Sequence, residues 1–312
     1  MKSVQDAAIA KAIILSPDFG TYSMANRYRE LAERTHLDFS SAIKLLDCLP
    51  VFIDGDVHQR VRKAMAKQIS KTKDCQFSSS REILAILFER VFRQNTRIEL
   101  VEEFSRPLWR AISASIVPRN SETLDLVEEI PALFSPILSI RERIRISDRI
   151  GDYLSADPEE GDDRLILLCL AALGARPFVG TLSLSLYEIF KENPGARMRD
   201  LVWPQLYPSS SLRFVDRICG NEAAVVANFE FRPGERVRCL TQSAEYSSEE
   251  NTRALFGFGA HTCLGKSISE KVWGLVVETF SQSDLRAEPL TITMSPHDDP
   301  FLMPVQIHIA LT

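Results

Sequence analysis

Phe256-Gly257-Phe258-Gly259-Ala260-His261-Thr262-Cys263-Leu264-Gly265 is the stretch whose reading decides the fold. Three glycines in ten residues let a backbone turn tightly and approach a flat ligand closely. The cysteine stands where the pattern predicts a helix to begin, over about 265–281. At a helix start the unpaired N–H groups and the dipole favour an anion, so a thiolate is expected over the thiol.

Around this loop the chain is ordinary in bulk. It has 312 residues, 45% hydrophobic and 25% charged, with a formal net charge of -5. No global basic excess points to a nucleic-acid partner. The six cysteines stand at 48, 75, 169, 219, 239 and 263; none forms a CxxC pair, and no zinc-ligand spacing occurs. The first twenty residues lack the layout of a signal peptide, and no uninterrupted run of apolar residues is long enough to span a bilayer. The expectation is a cytoplasmic chain with free thiols and no membrane partner.

Most of the chain reads as helix, with a small β portion, and as a single domain over 1–312, because no linker divides it. Residues 79–95 put Ile83, Leu84, Leu87, Val91 and Phe92 on one stripe, and 100–117 carry a similar one. A long helix is predicted over 163–191; it is apolar on nearly all sides and therefore central to the molecule. Pro177 should kink it, and Asn193-Pro194-Gly195 should stop it. Ser183 and Ser185 within it are expected to bond back to their own helix carbonyls. Residues 221–240 read as short strands around a Pro233-Gly234 turn, and the tail reads as two alternating strands.

The 256–265 loop fits FGxGxHxCxG at every defined position and so resembles the cytochrome P-450, or haem-thiolate, superfamily. The resemblance implies a P-450-like fold, haem b as cofactor and Cys263 as axial ligand to its iron. A thiolate on haem iron pushes electron density toward the distal ligand. Phe256 and Gly257 then match the aromatic and the turn on the sulfur side of the haem, and Gly265 the close approach after the cysteine. His58 and Arg62 match an HxxxR pair that binds a propionate, and positions i and i+4 do share a helix face. Arg217, just before the strands, and His261 match two further propionate ligands. The 100–117 helix resembles the one that reads VEEFxRPL in the family.

The resemblance covers roughly residues 40–312 and departs from the family in four places. The chain is short, with the N-terminal sheet and first helices mostly absent, and the stretch before the cysteine loop is cut. The ExxR pair that supports that loop has Val202-Trp203-Pro204-Gln205 in its place. In the long helix, the family's acid–alcohol pair is replaced by Arg176-Pro177 after a matching Gly174. Proline offers neither a hydroxyl nor an N–H, so the usual proton relay cannot be built from these residues. Arg-Pro at this spot resembles the fatty-acid peroxygenase branch, in which the arginine holds a substrate carboxylate and peroxide supplies the oxygen. The reading is thus a biosynthetic oxidoreductase with non-standard oxygen activation, Arg176 and Pro177 at its catalytic centre, and a small, anionic substrate. The alternatives are a monooxygenase fed by a ferredoxin-type donor at the basic run of Arg60, Lys63, Lys67, Lys71 and Lys73, an enzyme that rearranges an already oxidised substrate, and a degenerate haem-binding partner protein.

Overall fold

The computed structural model describes residues 1–312 except 119, 158, 160, 242–255 and 296–299. The shortened connection expected before the cysteine loop falls on 242–255 and lies outside the described residues. The body is built from helices α1 (Ala7–Leu15), α2 (Met24–Thr35), α3 (Ser40–Leu46), α4 (Gly55–Leu87), α5 (Arg106–Ser113), α6 (Ser121–Glu129), α7 (Ile140–Ser155), α8 (Gly161–Glu192) and α9 (Lys266–Phe280). Several starts are fixed by side chains. Asp6, Ser23, Asn120 and Ser139 each accept a hydrogen bond from the N–H three residues on, the usual way of satisfying an orphan donor at a helix start.

The HxxxR pair and the first half of the 79–95 stripe stand on one 33-residue helix, α4. It ends in a π-helical turn, Phe88–Phe92. A second π-helical turn, Val101–Ser105, leads into α5. Pro107, which has no N–H to donate, follows directly on this π-helical turn, where the regular i→i−4 ladder is already interrupted.

Helix α8 is the centre of the larger core, and every residue from Phe178 to Leu186 is buried. It runs as one helix through Pro177. Among the described residues it is also the one helix long and apolar enough to cross a membrane, but 67% of that window is covered by protein. Its serines do not bond back to their own helix. Ser183 donates to the Ser105 hydroxyl at 2.7 Å, and Ser185 donates to the Ser209 carbonyl at 3.2 Å. They serve as cross-links because neighbouring segments bring acceptors within reach.

Among the described residues, three sheets flank the helices. Strands β1 (Lys2–Val4), β7 (Arg236–Leu240), β4 (Phe214–Cys219) and β2 (Phe19–Thr21) pair in that order. Strand β1 is parallel to β7, and the other pairs are antiparallel. Strands β3 (Arg97–Glu99), β9 (Pro304–Leu311) and β8 (Ala287–Met294) form the second sheet, and β5 (Ala224–Val226) with β6 (Phe229–Phe231) the third. The short N-terminal part therefore still supplies two of the four strands of the first sheet, although its sequence is too brief to read as sheet. The β5–β6 turn has Ala227 and Asn228 at positive φ, the geometry of a tight hairpin.

Where the family's ExxR helix would stand, residues 201–213 form no helix. Trp203 packs edge-on to Phe190, Trp273 and Phe280. Trp273 of α9 donates to the Pro204 carbonyl at 3.0 Å, and Tyr207 donates to the Ser269 carbonyl at 3.0 Å. The segment is thus fastened to α9 by aromatic packing and two hydrogen bonds. Trp273 is fully buried. Trp273→Ala should lower the unfolding free energy by about 3–5 kcal/mol, read from urea denaturation. Val202→Ala, at a residue 95% exposed in the same segment, should change it by less than about 0.5 kcal/mol.

Candidate functional site

The cysteine loop closes on itself before it enters α9. Gly257 and Gly259 have φ of +74° and +61°. A Cβ on Gly257 would also meet the His261 carbonyl oxygen at 3.2 Å, so glycine is required there on two counts. The Cys263 N–H donates to the Phe256 carbonyl at 2.7 Å. The Cys263 side chain is open, but onto an internal cavity of about 560 Å³ rather than bulk solvent. That volume is in the range of small-molecule and cofactor sites.

Burial pushes the Cys263 thiol up, while the N–H groups of Gly265 and Lys266 and the Arg62 guanidinium pull it part of the way back. The net direction is upward, because desolvation in the cavity outweighs the two N–H groups and Arg62. A bound metal ion would reverse this, because coordination deprotonates a thiol outright.

One wall of the cavity is a stripe of α8. Leu170, Leu173, Gly174, Pro177, Phe178 and Thr181 all line it, at the i, i+3, i+4, i+7 spacing of one helix face. Arg176 is not among the lining residues. It is half-buried and has an interaction partner within the protein. The helical period explains this: two residues from Gly174 is about 200° around the helix. Arg176 therefore lies off the centre of the lining stripe, to which Pro177 belongs.

Thr181, one turn beyond Pro177, is also committed. The Ser211 N–H donates to its hydroxyl at 3.1 Å, and the Ser211 hydroxyl donates to the Pro177 carbonyl at 3.2 Å. The remaining contact between the two hydroxyls, 3.1 Å, must then be donated by Thr181, because each hydroxyl has one proton.

Trp109 of α5 carries no functional signal in the sequence. A Cβ at Gly174 would lie 2.2 Å from its Cη2 atom, so the indole is pressed against the α8 backbone on the cavity wall. Its Nε1 is buried without a partner among the described residues. The one available hint is an aromatic residue directly after Arg-Pro-Leu.

The basic residues gather on the opposite side. Arg62 lines the cavity and donates to the Thr262 carbonyl at 2.8 Å. Arg217, 5% exposed, lines it from β4 and donates to the Asp216 carbonyl at 3.1 Å; burial lowers its pKa. His58 is not on the cavity wall. It is buried beneath the His261 ring, with centroids 4.3 Å apart, and its Nε2 has no partner among the described residues. Burial, then His261 and Arg62, push its pKa down to about 4, so it is neutral near pH 7.

His261 lines the cavity, with Nδ1 3.1 Å from the Pro50 carbonyl and Nε2 3.1 Å from Asp54 Oδ1. Asp54 also accepts the Thr21 N–H and hydroxyl. Burial raises the Asp54 carboxyl, but the bonds from His261 and Thr21 outweigh it and hold it well below the usual carboxylate range. No local pattern singles out Asp54, whose partners lie 33 and 207 positions away.

No family model matches the sequence, and no curated protein matches it. Solved structures do match in shape. P450BioI, in complex with a hexadec-9Z-enoic acid ligated acyl carrier protein, superposes with a TM-score of 0.78 at 15% identity, over 99% of this chain and 91% of that one. The versatile cytochrome P450 enzyme CYP109B1 from Bacillus subtilis gives 0.72 at 14% identity, over 99% and 92%. SgvP, a putative thioether synthase of the tailoring step of griseoviridin, gives 0.71 at 14% identity, over 99% and 89%. With the glycine-rich cysteine loop opening onto an internal cavity, these superpositions show that the chain has the cytochrome P450 fold.

Proposed function

We propose that the chain is a haem-thiolate oxidoreductase that acts on a small organic molecule, as a tailoring enzyme whose oxygen activation does not use the acid–alcohol relay of the family. The observation that carries this reading is the Cys263 thiol, open to the cavity and receiving the Gly265 and Lys266 N–H groups. The residues present fit haem. Cys263 would hold the iron, and Gly265 leaves the sulfur uncrowded, since even an added Cβ would stand 3.7 Å from it. Arg62, Arg217 and His261 would meet the two propionates, and the orphaned His58 Nε2 lies directly behind them. Bound there, haem would supply oxidation of the substrate with an oxygen atom from peroxide or dioxygen.

The protein's own part is to bind and orient. The apolar α8 stripe, Trp109, Ile112 and Ile116 would exclude water around the substrate. Arg62 and the two N–H groups stabilise negative charge on Cys263. The proton-carrying role that the family gives to an acid and an alcohol has no counterpart at Arg176 and Pro177, which favours a peroxygenase-like or substrate-assisted reaction. A second reading, dioxygen with a ferredoxin-type donor, is favoured by one observation: Arg60, Lys63, Lys67, Lys71 and Lys73 are all exposed along α4. The acyl carrier protein bound to P450BioI adds a carrier-tethered acyl chain to the small molecules that would suit this cavity.

Purified protein should carry haem b, and its reduced carbonyl complex should show the red-shifted Soret band of thiolate ligation. Cys263→Ser should lose that band. Protein that purifies without haem and cannot be reconstituted with it sinks this reading. Removing Arg62 or Arg217 should weaken haem retention by roughly tenfold or more, the scale of a charge-assisted hydrogen bond. Arg60→Ala, at an exposed neighbour on α4, should leave retention unchanged. Turnover supported by peroxide alone would separate the first mechanism from the second, which needs dioxygen and a ferredoxin pair. Haem binding with no turnover under either condition would indicate a binding protein.

A further inference from the structure

Five arginines line the cavity: Arg27, Arg62, Arg217, Arg236 and Arg238. Among the described residues on its wall there is one carboxylate, Asp216. Arg236 and Arg238 both pair with it. Arg62 donates to the Thr262 carbonyl and Arg217 to the Asp216 carbonyl. Arg27 stands apart: its guanidinium makes no hydrogen bond and no ion pair among the described residues. Even with two propionates in the cavity, five guanidinium groups would face three carboxylates, and the surplus includes the one that makes no hydrogen bond or ion pair among the described residues.

The position of Arg27 adds to the imbalance. It is the fourth residue of α2, at the positive end of a 12-residue helix whose first turn holds no acid. A cation there is opposed by the helix dipole and by its half-buried setting. An anion placed against it would relieve both. Apolar residues share the cavity wall with Arg27. Tyr28, the next residue, donates to the Leu133 carbonyl at 3.0 Å, so this end of α2 lies against the Ile130–Phe134 turn. Phe134 of that turn, with Phe52 packed on it at 5.0 Å, lines the same cavity. A charged fork beside aromatic walls suits a molecule with an apolar body and an anionic head.

We propose that Arg27 is the subsite that binds the anionic head group, carboxylate or phosphate, of an amphipathic substrate. It would take the role that the Arg-Pro resemblance assigns to Arg176, which is not among the lining residues. The inference rests on the reading of this cavity as the haem and substrate site, and its test is kept separate from that reading. Haem content is measured first, by absorbance. Binding to the haem-loaded protein is then measured by calorimetry, which needs neither turnover nor a spin-state change.

The probes are dodecanoate, dodecyl phosphate and dodecanol. Wild-type protein should bind one or both anions at least about tenfold more tightly than the alcohol, the scale of a charge-assisted hydrogen bond. The preferred anion identifies the head group: the carboxylate of a free acid, or a phosphate such as a carrier arm presents. Arg27→Ala should lose the preference while keeping its affinity for dodecanol, and Arg27→Lys should retain part of it. Arg29→Ala, which removes an exposed arginine paired with Asp47, should leave the preference intact. Equal affinity for acid and alcohol in the wild type, or an unchanged preference in Arg27→Ala, would overturn the assignment even in protein fully loaded with haem.

Discussion

The Asp54 carboxylate is the tie on which the cavity's architecture depends. It stands just ahead of α4 and accepts from Thr21 at the end of β2 and from His261 in the cysteine loop. His261 reaches the Pro50 carbonyl with its other nitrogen. One turn along α4 from His58, Arg62 holds the Thr262 carbonyl. The first sheet, the start of α4 and the residues flanking Cys263 are thereby fixed to one another. Several donors on one carboxylate stabilise its charged form, and the low pKa of Asp54 expresses this. The cysteine loop is held from the α4 side, by polar contacts, and from the α9 side, by its own helix start.

These ties explain physically how the loop survives without the family's ExxR pair. A buried ion pair adds little net stability against well-packed apolar residues of similar volume, whereas half of such a pair is costly. Here both partners are missing together. The space between α8 and α9 is filled by Trp203, Trp273, Phe190 and Phe280. The Trp273 indole satisfies the Pro204 carbonyl, which this irregular segment would otherwise leave bare, and the Tyr207 hydroxyl ties the segment to the Ser269 carbonyl of α9.

What is legible in the sequence follows from range. The cysteine loop, the central helix and the two tail strands are local patterns, and each appears where the spacing puts it. Strands β1 and β2 are not legible, because three residues carry no periodicity and their pairing partners lie on the order of two hundred positions away. Asp54 and Trp109 escape notice for the same reason: one is defined by Thr21 and His261, the other by Gly174. Arg176 does not line the cavity although its neighbour Pro177 does. On a helix, neighbours in sequence are about 100° apart, and only the 3.6-residue period says which of them shares a wall.

The same period bears on the chemistry. Of the α8 residues that face the cavity, Leu170, Leu173, Gly174, Pro177 and Phe178 have no titratable or hydroxyl group. The hydroxyl of the sixth, Thr181, gives its proton to Ser211, which passes its own to the Pro177 carbonyl. That chain terminates at an acceptor and therefore cannot deliver a proton into the cavity. Pro177 also lacks the N–H that the Leu173 carbonyl would accept in a regular helix, so it adds no donor to this wall. A helix wall without a mobile proton leaves the acid–base role to a group from elsewhere, and Arg27, which makes no hydrogen bond or ion pair among the described residues, is the site proposed for a substrate that brings one.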